Sequence, residues 1–179
     1  MLKAFAVIGC LVVAGIVVVL VLAAMKPDQF RISRSAAIKA SPDKIFPLIN
    51  DFKAWTAWSP YENKDPEMKR IYGPTTAGKG ATYAWEGDGK AGAGRMEIAE
   101  STAPSRVGIV LDFEKPIANR ARTTFTLSPH GDATLVTWTM ESPNRYLVKV
   151  MHLFFDAEQI VGDDFARGLA DLKAAAEKS

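Results

Sequence analysis

Between Lys3 and Lys26 the chain runs for 22 residues, Ala4 to Met25, without a charged side chain or a proline. At about 1.5 Å per residue a helix of that length measures about 33 Å, enough to cross a hydrocarbon core of about 30 Å. The run predicts a single-pass membrane anchor over residues 1–26, with 4–25 inside the bilayer. A secretory signal peptide is the competing reading, and Leu22-Ala23-Ala24 would serve as its cleavage site, but such an apolar region usually holds about 7 to 15 residues. Length favours an uncleaved anchor. Val7-Ile8-Gly9-Cys10 has the look of a lipoprotein processing box, yet the stretch before it is too short and the apolar run continues well past it, which leaves Cys10 an ordinary membrane-facing cysteine.

Orientation stays open. Lys3 precedes the run, whereas Lys26, Arg31 and Arg34 follow it, a count that leans towards a cytoplasmic domain. A very short basic tail before the helix is typical of the opposite arrangement. The linker 26–29 spans about 14 Å at most when extended, so the remainder must stay near the bilayer. Arg31 and Arg34 are then expected close to lipid headgroups, each adding on the order of 1 kcal/mol of attraction to an anionic leaflet.

Residues 27–179 have the size of one domain with a proper core. With Lys3 and Lys26 set aside, the remaining Lys and Arg equal the 20 Asp and Glu in number. A balanced surface argues against nucleic acid as a partner. The chain's 1 cysteine lies in the apolar run, so no disulfide or cysteine metal site is expected in the soluble part.

Beyond the linker, Phe30, Ile32, Ala36 and Ile38 alternate as in a strand. Ser41-Pro42-Asp43 reads as a helix start, with a cap, a proline in the first position and an acid in the first turn. The short helix that follows carries Ile45, Phe46, Leu48 and Ile49. A second short helix is expected over 51–60, stopping at Ser59-Pro60. The period then changes to two, predicting strands at 68–72, 81–86, 92–101, 106–113, 120–127 and 133–141, with His130-Gly131-Asp132 as a hairpin turn. From Asp156 the period changes again: Ile160, Val161, Phe165, Leu169 and Leu172 form one stripe of a long helix, for which the sheet is the natural apolar partner.

This order, with Ile38-Lys39-Ala40-Ser41-Pro42-Asp43-Lys44-Ile45-Phe46, Trp55-Thr56-Ala57-Trp58-Ser59-Pro60, Gly94-Arg95-Met96-Glu97-Ile98 and the closing Phe165-Ala166-Arg167-Gly168-Leu169-Ala170-Asp171-Leu172-Lys173, resembles the SRPBCC or START-like superfamily, in particular its polyketide cyclase/dehydrase-type proteins. The resemblance covers nearly all of residues 30–178. It implies an α+β helix-grip fold, in which a curved seven-stranded antiparallel sheet with two short helices wraps a long C-terminal helix. It also implies a cavity between sheet and helix. Function does not follow from it directly, because that fold hosts many activities.

Two glycine patterns imitate nucleotide motifs. Gly73-Pro74-Thr75-Thr76-Ala77-Gly78-Lys79 lacks the hydroxyl residue that a phosphate-binding loop needs next, having Gly80 there, and a strand pattern follows it instead of a helix. Gly87-Asp88-Gly89-Lys90-Ala91-Gly92 matches the dinucleotide fingerprint but joins two strand patterns, so a hairpin turn accounts for it. No cofactor is expected. His130 sits in a turn, and His152 with Asp156 has helical spacing but no third ligand, so no metal is expected either.

Polar candidates for the cavity are Glu86, Arg95, Glu97 and Arg122, since an inward carboxylate beside apolar walls would be suited to acid or base work and an arginine to orienting a carbonyl or anion. Alternation counts against Glu97, which is opposite in phase to Met96 and Ile98. The expected apolar lining is Trp55, Trp58, Tyr83, Trp85, Ile109, Leu111, Phe113, Phe125, Trp138, Phe154 and Phe165. Three readings follow: a membrane-anchored module that binds a hydrophobic small molecule or lipid, a cyclase or dehydratase that uses a cavity carboxylate, and a ligand-free structural or envelope-associated protein.

Overall fold

A computed structural model describes residues 2–65, 67–87 and 91–178. Helix α1, Leu2–Ala24, holds the apolar run, and its segment Val7–Ala24 is long and apolar enough to cross a membrane. Among the residues whose side chains are described, almost all are exposed, as for Leu11 and Val13. No soluble core claims them.

Alternation of period two then builds one sheet from β1 (Gln29–Ile38), β2 (Lys69–Tyr72), β3 (Thr82–Glu86), β4 (Ala93–Thr102), β5 (Arg106–Lys115), β6 (Asn119–His130) and β7 (Ala133–Pro143). The spatial order is β1-β7-β6-β5-β4-β3-β2, and every pair is antiparallel. Consecutive strands from β2 to β7 are neighbours, joined as hairpins; Gly131, with φ of 63°, turns the β6–β7 hairpin. Register shifts at Ala93/Gly94 and Ile98/Glu100 bend β4 against β5. The first strand returns to pair with the last, Gln29 opposite Pro143 and Ile38 opposite Thr134. That pairing brings the end of α1 beside whatever follows β7.

Between β1 and β2 lie α2 (Pro42–Asn50), a 3-10 helix (Phe52–Ala57) and α3 (Pro60–Lys64). The expected second helix over 51–60 is therefore two pieces. Pro60 does not end it; with its fixed φ and missing donor it opens α3 at the first helical position. After β7 comes a short helix that the sequence pattern did not announce, α4 (Tyr146–Met151), then the long α5 (Ala157–Glu177). The Asp156 side chain caps α5 by accepting from the Gln159 amide at 3.0 Å.

Helix α5 lies on the inner face of the sheet, towards β1 and β7. Phe165, Leu169, Leu172 and Ala176 are buried there, and the Phe165 ring stacks on Trp138 with centroids 3.9 Å apart and planes 9° from parallel. Close approach is possible because residue 168 is glycine: a Cβ would sit 2.8 Å from Pro60 Cδ and 2.9 Å from Trp138 Cζ3. On β1 the even-numbered residues face inward, and this places Arg34 beneath α5, where a Cβ on Gly162 would meet its guanidinium at 2.1 Å. Arg34 thus belongs to the inner face of the sheet, whereas Arg31 points outward and pairs with Glu141 at 3.3 Å.

Candidate functional site

The inner faces of β3, β4 and β5 are not covered by α5. The space left between them, α3 and the first half of α5 is a cavity of about 310 Å³, within the size range of small-molecule sites. Its walls are mostly apolar, with Met68, Trp85, Met96, Leu111, Phe113 and Met140 prominent among them. The period-two alternation aims these side chains inward, and cross-strand pairing sets them side by side: Tyr83 opposite Met96, and Met96 opposite Leu111. Gly94 lets Trp85 lie flat on the sheet, since a Cβ there would come within 2.8 Å of the indole.

Indole donors in this wall are all satisfied. Trp55 Nε1 donates to the Ile49 carbonyl at 2.9 Å, Trp85 Nε1 to that of Ala91 at 3.0 Å, and Trp138 Nε1 to the Thr123 hydroxyl at 2.8 Å. Thr123 passes the bond on to the Thr139 carbonyl at 2.9 Å. The wall therefore meets a guest with carbon and sulfur surface.

One end of the cavity is polar. Helix α3 carries Glu62 and Lys64 to it, and α5 carries Asp164. Glu62, with only 5% of its side chain exposed, accepts from Tyr83 Oη through Oε1 at 2.8 Å and from Arg70 Nε through Oε2 at 2.6 Å. Arg70 also donates to the Met68 carbonyl at 2.9 Å. Burial pushes the Tyr83 phenol well above its ordinary pKa, and the bond to Glu62 adds to the shift. Tyr72, stacked on Tyr83 at 5.1 Å, is raised for the same first reason. Asp164 pairs with Lys64, and less closely with Arg167 at 3.8 Å. Buried carboxylates thus sit against cations, as burial of charge requires.

Of the expected lining, Trp55, Tyr83, Trp85, Leu111, Phe113, Trp138 and Phe165 reach the cavity. Trp58, Ile109 and Phe125 face inward too, but they lie in the core cluster with α2 and the 3-10 helix and are fully buried there. Phe154 does not approach the cavity: it is 67% exposed in the turn between α4 and α5. The four polar candidates are corrected as well. Glu86, Arg95, Glu97 and Arg122 all face solvent on the outer side of the sheet, where Arg95 pairs with Asp112 at 3.6 Å and Glu86 with Lys69 at 3.5 Å. The reason is parity, since each neighbours an inward-facing residue in its own strand. Glu62, Lys64 and Asp164 escaped the sequence reading because α3 is too short to show a period and Asp164 lies beside the stripe residue Phe165; the only available sign was a charged residue next to that stripe. His152 packs against the Phe30 ring at 5.3 Å, away from this site. Of the glycine pattern 87–92, residues 88–90 lie outside the described residues, while Glu86 pairs with Ala93 and Gly87 N–H donates to the Gly92 carbonyl at 2.8 Å, the closure of an antiparallel hairpin.

A seven-stranded antiparallel sheet gripping a C-terminal helix over an apolar cavity defines the helix-grip class. The profile of the family described as "Polyketide cyclase / dehydrase and lipid transport" matches residues 29–177, and the chain belongs to that family. Solved structures share the fold at low identity. A protein from Chromobacterium violaceum is 16% identical with a TM-score of 0.58, over 85% of this chain and 99% of its own. The Aha1 dimer from Colwellia psychrerythraea is 18% identical at a TM-score of 0.56, over 83% and 96%. A protein from Rhizobium leguminosarum is 13% identical at 0.61, over 84% and 96%. No curated protein matches the chain in sequence.

Proposed function

We propose that this protein is a membrane-anchored binding module that holds one hydrophobic small molecule or single-chain lipid in the cavity beneath α5. The observation that carries this reading is the contrast within the cavity, about 310 Å³ of mainly apolar wall closed at one end by Glu62, Tyr83, Lys64 and Asp164. A tail fits against the wall and a polar head against the charged end. That volume is at the low end of the about 300 to 1,000 Å³ typical of ligand sites, which favours a single chain over a double-chain lipid. Helix α1 acts as the anchor and raises the effective concentration of the cavity near apolar molecules dissolved in the bilayer. The family description, which includes lipid transport, is in keeping with this.

The test is mass spectrometry of small molecules that copurify with the full chain, compared with those on Leu111→Trp, whose indole would fill the cavity. A defined compound present on the parent and missing from the variant is the expected result. Identical lipid profiles on both would sink the reading, because lipids around α1 are common to both proteins.

A second reading, a cyclase or dehydratase, rests on the Glu62–Tyr83 pair, the carboxylate and phenol that do reach the cavity. It predicts that Glu62→Gln retains a compound chemically different from the one on the parent, an unreacted precursor. The same compound on both proteins argues against turnover.

A further inference from the structure

Apart from α1, the exposed large apolar side chains gather mainly in one stretch. Tyr146, Leu147, Met151, Phe154, Phe155 and Ile160 all lie in α4, the turn after it and the start of α5, with Leu147, Phe154 and Phe155 each more than 60% exposed. Isolated exposed apolar residues are normal, but a contiguous group marks a surface that something covers.

Its position says what. Because β1 pairs with β7, the chain before β1 and the chain after β7 are neighbours, and they are bonded together. The Tyr146 hydroxyl donates to the Leu20 carbonyl of α1 at 2.8 Å, Asn144 Nδ2 to the Pro27 carbonyl at 3.0 Å, and Lys149 Nζ lies 2.6 Å from Asp28 Oδ1. Leu20 is inside the apolar segment Val7–Ala24, four residues before its end, a depth of about 6 Å at helical rise. Helix α4 is therefore held level with the last turn of α1. A second cavity, of about 340 Å³, lies at this corner between the β5–β6 loop and the α4–α5 turn, with Ile117 on one side and Met151 and Phe155 on the other. Phe113, Ile160 and Val161 line both cavities and form the partition between them.

We propose that α4 and the turn after it lie in the headgroup region of the bilayer that α1 crosses, with the second cavity facing that bilayer as the approach to the inner one. The proposal rests on the reading of α1 as a membrane anchor. An interfacial segment buries its apolar face by about 5 to 10 Å and keeps amphipathic aromatics at the boundary, the place this geometry gives Tyr146. Charge plays little part, since the exposed Lys26, Lys115 and Arg145 outnumber the exposed Asp156 and Glu158 by only one. Insertion should accordingly occur on zwitterionic lipid.

The full chain with Cys10→Ser would carry one cysteine at a time, Ile16→Cys, Ile117→Cys, Phe154→Cys or Asp132→Cys, each labelled with a polarity-sensitive fluorophore and reconstituted into phosphatidylcholine vesicles with brominated acyl chains. Asp132, in the hairpin at the far end of β7, reports on the side away from the bilayer. Labels at 16, 117 and 154 should be quenched at least two-fold, those at 117 and 154 with a blue shift, while the label at 132 is unchanged. Quenching at 16 with none at 117 and 154 overturns the proposal and leaves the anchor standing. No quenching at 16 removes the anchor reading and this inference with it.

Discussion

Replacing Glu62 by alanine removes the carboxylate that both Arg70 and the Tyr83 hydroxyl bond, while Arg70 remains three-quarters buried. Removing one partner of a fully buried pair costs about 3 to 5 kcal/mol; with 26% of the Arg70 side chain exposed, a loss of about 2 to 3 kcal/mol is expected. Denaturant unfolding followed by tryptophan fluorescence measures it. Tyr83→Phe removes one hydrogen bond to a charged group and should cost less, about 1.5 to 2 kcal/mol. The two substitutions also separate at alkaline pH. The folded state holds the Tyr83 phenol above its ordinary pKa of 10.0, so its contribution is complete below that value and is lost as pH rises through the folded value. Melting temperatures from pH 8 to pH 11 should therefore fall more steeply for the parent than for Tyr83→Phe. Equal slopes would show that Tyr83 is not the titrating group.

At the scale of elements, the packing of α5 depends on the lack of a side chain at Gly168. An added methyl has to displace either the Pro60 ring or the Trp138 indole, both held in place by the elements around them. Gly168→Ala gains about 1 kcal/mol of helix propensity but meets an overpacking cost of about 1 to 3 kcal/mol. A net loss of about 1 kcal/mol is expected, together with a changed Trp138 emission as the Phe165 stack opens; a variant more stable than the parent would show that α5 has slack. Most elements were legible beforehand because alternation and helical stripes are local properties of the chain, and β5, β7 and α5 fall where those periods place them. Helices α3 and α4 were not. With 5 and 6 residues they span too few turns to display a period, and they form because proline at residue 60 and the packing beside α1 favour them.

For the whole molecule, the inner cavity exists because α5 grips only the β1 and β7 side of the sheet. Filling it from the sheet should thus be tolerated. Leu111→Trp is expected to keep a melting temperature within a few degrees of the parent while losing the copurifying compound, since the new indole enters open space instead of a packed core. A loss of more than about 3 kcal/mol would mean that the cavity collapses around residue 111 in solution.

What the sequence determined by itself is what is periodic or contiguous. The apolar run, the strands, the long helix and the inward parity of Tyr83, Trp85, Leu111 and Phe113 all follow from side chains a few residues apart, and the family resemblance rests on that order. Tertiary structure alone decided which inward residues meet empty space and which meet a helix, so that Leu111 lines the cavity while Ile109, two residues earlier on the same face, is sealed in the core. It alone joined Glu62 to Arg70 and Tyr83, and Lys64 to Asp164 across 100 positions of chain. It also tied α4 to the end of the apolar run. These contacts depend on how β1 returns to β7 and on where α5 comes to rest, and a local period carries no record of either.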